Sequence, residues 1–252
     1  MNIFKKIHPC KTLKYLRWFD IVIITVIMFG QFIIRSTELF LANTFPTGAS
    51  STEGIVRQAA SEGAAYFSNF TLQAILLTVT LLYLLIRNYD FKQLPIRWNW
   101  SIIFWVPFIF ALVGLFGDLV TTLTGKYNYF NPDLFVYIDF TQIIGKFLAL
   151  SPIAIAYALL NGFYEEFFFL GLLTSVKEKH KWLVLLYSTS IRISFHTYQG
   201  LVWALVIGVV YGLFYYFLYK YKIKNLLPFF LMHALADIFG SSLIYLLIAW
   251  GT

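Results

Sequence analysis

The chain reads as an all-α, polytopic integral membrane protein: a bundle of seven to eight transmembrane helices with its N-terminus cytoplasmic. Three observations predict this class. Of 252 residues, 60% are hydrophobic and only 12% charged, roughly half the charge with which a soluble globule covers its surface. Apolar stretches of about 20 residues, the length a bilayer core asks of a helix, recur along the chain. Basic residues fall in short clusters between those stretches, a topology signal. This excludes a soluble enzyme, a disordered tail and a nucleic-acid module, although Lys+Arg 19 outnumber Asp+Glu 12. One cysteine, Cys10, excludes a disulfide framework and a multi-thiolate metal site.

Seven stretches qualify as spans: 19–40, 69–87, 101–124, 148–174, 182–199, 200–219 and 225–249. Alternating apolar and polar residues in blocks of about 10, the mark of an outer-membrane barrel, are absent. The first span has no small-residue cleavage site after it and is read as an uncleaved anchor. Lys5, Lys6, Lys11, Lys14 and Arg17 precede it. Arg87, Lys92 and Arg97 follow the second span, Lys177, Lys179 and Lys181 the fourth, and Lys220, Lys222 and Lys224 the sixth. The opposite loops carry only Arg57 and Lys126. Positive charge on alternate loops puts the N-terminus inside and the C-terminus outside. Segment 133–148 would invert every later loop if it crossed, so it is expected to be an interfacial or re-entrant helix, with a turn near Pro152. Loops 43–68 and 125–133 are expected to be external. With no repeat and no linker, residues 1–252 are read as one integral-membrane domain. Ala204, Gly208 and Gly212 form a small-residue face suited to close helix packing. Asp20 and Asp118 are read as interfacial, and Arg35 with Glu38 as a boundary pair.

Ionisable side chains within hydrocarbon are expensive and call for a partner or a function. Six fall in the second half of the chain: Glu165, Glu166, Arg192, His196, His233 and Asp237. Counting from the nearest cytoplasmic lysine at about 1.5 Å per residue, all lie roughly 13–22 Å deep. His233 with Asp237, and Arg192 with His196, are each spaced i, i+4 and share a helix face. Neighbouring carboxylates in low dielectric cannot both ionise easily. A glutamate so tuned, beside a histidine, can take a proton from water and return it to a leaving amine. A second histidine and a donor one turn away can bind an oxyanion. This set suffices for peptide hydrolysis without a covalent nucleophile. The zinc-protease HExxH helix is absent; Gly117-Asp118 lacks the spacing of a GxGD site, and Ser241 and Ser242 lie two turns from His233.

Glu165-Glu166-Phe-Phe-Phe-Leu170-Gly171, Arg192-Ile-Ser-Phe-His196 and His233-Ala-Leu-Ala-Asp237 together resemble the CPBP family, over about residues 150–245. This family comprises CAAX prenyl endopeptidases and bacteriocin-processing or immunity proteins, also labelled Abi. The resemblance implies an intramembrane endopeptidase in which Glu165 activates water with help from His196. It implies that His233 and Asp237 form the oxyanion site and that Glu166 supports. It further implies a peptide or membrane-protein substrate, prenylated or not, and a multi-pass protein of the cell membrane. No cofactor is required by a glutamate mechanism, although two Glu and two His could hold zinc. The family's EExxxR has Leu170 at the Arg position, and its FxxxH has Arg192 at the Phe position. Arg192 is therefore expected to replace the missing cation and to reach Glu166. Asp237 stands where many members have Asn. Two other functions stay open: a catalytically impaired member acting as an immunity or regulatory scaffold, and a proton-coupled transporter, for which the chain lacks an inverted repeat.

Overall fold

The computed structural model describes residues 12–44, 58–135 and 138–251. Lys5, Lys6, Cys10, Lys11 and Arg57 lie outside them. The described chain is all-α, and its helices are α1 Trp18–Thr44, α2 Gln58–Ile86, α3 Ile102–Leu123, α4 Phe140–Leu148 and α5 Pro152–Glu166. They continue with α6 Lys181–His196, α7 Leu201–Leu205, α8 Gly212–Leu218, α9 Leu227–Phe239 and α10 Leu243–Gly251. α5 runs on as a π-helix over Phe167–Leu172, and α7 and α8 join through π-helical Val206–Tyr211. Among the described residues, five helices are long and apolar enough to cross a membrane: Trp18–Ala42, Gly63–Ile86, Ile102–Leu123, Pro152–Leu172 and Leu201–Ile223. The protein is a multi-pass membrane protein.

Two expected boundaries change, those of the second and seventh stretches, while segment 133–148 forms a short helix. Helix α2 begins at Gln58, inside the stretch expected to be loop, where Ala64 and Ala65 favour helix. Segment 133–148 yields only the nine-residue α4, about 13.5 Å long and too short for a core of about 30 Å. Asp139 caps α4 by accepting from the Thr141 N–H at 2.8 Å, and α5 starts afresh at Pro152, a residue suited to a helix's first turn. The stretch 225–249 is two helices, because Gly240 at φ +80° takes a left-handed conformation that only glycine adopts freely.

Contacts group the chain into two units. The first comprises residues 1–58, 71–96 and 164–226. In it α1 packs along α6, and Phe29 is ringed by Tyr164, Phe168, Phe169 and Phe195, with centroids 4.8–5.6 Å away. Asp20 is fully buried within the protein. It accepts from Arg87 Nε at 2.6 Å and from the Tyr83 hydroxyl at 2.7 Å, so the charge is compensated rather than hydrated. Nearby, burial pushes the Tyr89 phenol up to about 12, while its hydrogen bond to Ser175 acts the other way. Gly208 lets α6 approach closely: a Cβ there would lie 2.9 Å from the Ile193 nitrogen.

The second unit comprises residues 59–70, 97–163 and 227–252. Here α3 packs on α9 and α10. Asp118 is likewise buried. It accepts from the Ser242 hydroxyl and, at 2.8 Å, from the Ile244 N–H. One carboxylate thus ties the turn after α9 to α3 and satisfies a donor that the first turn of α10 cannot pair internally.

Candidate active site

The ionisable residues singled out by the sequence divide between the two units. Glu165, Glu166, Arg192 and His196 belong to the first; His233 and Asp237 belong to the second.

In the first unit, Glu165 and Glu166 end the α-helical part of α5, directly before the π-helical turn. Both are buried. Turns of this kind are rare and concentrate at functional sites. Arg192 reaches Glu166 from α6 with Nη1 on Oε1 and Nη2 on Oε2, both at 3.1 Å. This parallel fork is the strong form of a carboxylate–guanidinium contact, and it is the contact that exchanging the family's Arg and Phe positions demands. The guanidinium also lies 4.1 Å from the Phe169 ring centroid and 5.8 Å from that of Tyr215, so aromatic faces complete its surroundings. Leu170, at the family's Arg position, is buried in the π-helical turn. Gly212 lies against the Arg192 side chain, whose Cδ would be in ordinary contact, at 3.5 Å, with a Cβ placed there.

His196, the last residue of α6, is buried with Nδ1 at 2.8 Å from the Arg192 carbonyl. A carbonyl oxygen can only accept, so Nδ1 carries the proton and Nε2 is the basic nitrogen of the neutral ring. The ring packs on Phe195, 4.1 Å between centroids. One residue thus carries two functions: the Arg192 side chain neutralises Glu166 and its main chain orients His196.

In the second unit, His233 Nε2 lies 3.8 Å from Asp237 Oδ1 on α9. The other carboxylate oxygen accepts from Asn161 Nδ2 of α5 at 2.8 Å. Asn161 is buried, and sequence reasoning missed it. The available signal was weak: a lone amide one turn before Glu165 in an otherwise apolar helix. Beside it, Gly162 brings the two backbones together. A Cβ at that position would meet the Phe230 carbonyl oxygen at 2.4 Å, the Ala234 nitrogen at 2.9 Å and the His233 Cβ at 3.3 Å.

Comparison with known proteins adds one finding. A family model described as type II CAAX prenyl endopeptidase Rce1-like matches residues 146–239, a segment containing every ionisable residue discussed above. No curated protein and no solved structure matches the chain.

Proposed function

We propose, from the match of residues 146–239 to the Rce1-like type II CAAX prenyl endopeptidase model, that this chain is a CPBP-type intramembrane endopeptidase and hydrolyses a peptide bond of a membrane-associated peptide or protein. Glu165 is the base that takes a proton from water, and His196 assists through Nε2. His233 and Asp237 serve the oxyanion of the tetrahedral intermediate. Glu166, held by Arg192, supports Glu165 without itself exchanging protons. The observation that carries this reading is the Glu166–Arg192 fork. It compensates the charge of one of two adjacent acids, so the other does not face an unpaired carboxylate. A buried cation beside Glu166 despite Leu170 supports this reading over that of a broken first motif.

Zinc is the metal that such acids and imidazoles imply. Glu166 already engages a buried guanidinium through both oxygens, so zinc at that carboxylate would compete with Arg192 for its charge. The proposed mechanism therefore takes no step through a metal.

The test is peptide turnover by the purified full chain in detergent, with prenylated and unprenylated peptides in parallel. Glu165→Gln is expected to reduce kcat by about 10²–10⁴-fold, the range of a positioned general base, and excess chelator to leave wild-type turnover unchanged. Undiminished turnover in Glu165→Gln would exclude the role, and a biological activity that survives this substitution would favour the scaffold instead.

A further inference from the structure

We propose that Asn161 is a positioning residue for the His233–Asp237 pair, fixing the Asp237 carboxylate as an acceptor turned toward His233. The inference rests on the peptidase reading for its catalytic meaning, but on the geometry of one unit for its substance. An amide nitrogen can only donate, so Asp237 Oδ2, 2.8 Å from Asn161 Nδ2, is an accepting oxygen that bears no proton along this bond. The bond leaves Oδ1 as the oxygen facing His233 Nε2, at 3.8 Å. At this separation the contact is electrostatic rather than a hydrogen bond, and a carboxylate oxygen beside one ring nitrogen favours a proton on that side of the ring. Asp237 then orients the His233 ring rather than donating to the oxyanion itself.

Two features make Asn161 suited to this work. It lies on α5, whereas the pair it holds lies on α9, so its bond resists rotation of α9 about its own axis. It also sits at the closest approach of those helices. Gly162 admits the Phe230 carbonyl to a distance that no Cβ would allow, and Phe163 packs edge-on against Phe230, 4.9 Å between centroids. A side-chain amide anchored at such a crossing has little freedom to drift. Held groups of this kind set the geometry that a reactive constellation requires.

The experiment uses the full chain with 15N-labelled histidine in detergent micelles. His233 ring signals are assigned with His233→Gln, and wild type is compared with Asn161→Ala. The expected result is altered His233 ring-nitrogen shifts with His180 unchanged. In the peptidase assay, kcat should fall about ten-fold with KM little changed, the scale on which orienting partners act. Unaltered His233 shifts in Asn161→Ala overturn the proposal. Altered shifts without any wild-type turnover uphold the positioning role and defeat the peptidase reading, so the two failures are separable. If Asn161→Ala does not fold, Asn161→Leu of similar volume takes its place. Failure of both to fold overturns the proposal in favour of a purely structural bond.

Discussion

Arg192 is the residue on which the first unit's polar chemistry turns. Its charge is sequestered between Glu166 and the Phe169 ring, and removing it would strand a buried carboxylate. Breaking a buried pair from one side costs about 3–5 kcal/mol, so Arg192→Leu should lower the unfolding midpoint in detergent markedly and reduce turnover. Adding Leu170→Arg to that variant should recover part of both losses, because it returns a cation to the family's position, four residues after Glu166. Wild-type turnover in Arg192→Leu would defeat the exchange of positions. Glu165, Glu166 and His196 drew notice as a set, because acids and imidazoles in hydrocarbon are rare, and all three are buried. The pairings of Asp20 and Asp118 were not legible: their partners Arg87 and Ser242 are 67 and 124 residues away in sequence, and no local periodicity reports such a pairing. Asn161 was hidden for the same reason, its acceptor lying 76 residues downstream.

Among the elements, the α5–α9 crossing is set by a single missing side chain. Gly162→Ala is expected to destabilise by about 1–3 kcal/mol, the usual range for overpacking a tight contact, because its Cβ would meet backbone at 2.4 Å rather than a movable side-chain tip. Thermal unfolding in detergent reads this, with Gly63→Ala, where a Cβ meets nothing within 4 Å, as the neutral control. A Gly162→Ala midpoint equal to that of the control would show that the helices have room to part. Five spans were visible from the sequence to within several residues, since a long apolar run between polar loops has one simple reading. The division between α9 and α10 was not. An apolar stretch looks alike whether continuous or broken, and what breaks it is one glycine backbone together with a carboxylate from α3. The π-helical turns were likewise invisible, since apolar composition does not distinguish them from an ordinary helix.

For the whole molecule, the basic loops predict that the segments around Lys92, Lys179 and Lys222 face the cytoplasm and that Lys126 faces outward. With Cys10 replaced by Ser, a cysteine at Lys126 should react with an impermeant maleimide in sealed right-side-out vesicles. One at Lys179 should react only after the vesicles are opened, and the reverse pattern would invert the orientation. The loop after the π-helical turn carries its own ion pair, Lys181 with Glu178 at 2.6 Å. The Lys181 ammonium holds the Glu178 carboxyl below its usual range. Any stabilisation from this contact is therefore present above the ordinary glutamate value and fades as pH falls through the lowered one. Both groups are solvated, so the effect is small.

The shortness of α6 has a consequence for the surrounding lipid. On the seven-span reading this helix crosses the membrane with only sixteen residues, a length of about 24 Å against a hydrocarbon thickness of about 30 Å. A helix too short for its bilayer is accommodated by local thinning of the lipid. Acyl chains beside Arg192 and His196 would be compressed, and water would have less depth to traverse before meeting these groups. On that reading longer-chain lipids would oppose the compression, and a thicker membrane would disfavour this arrangement.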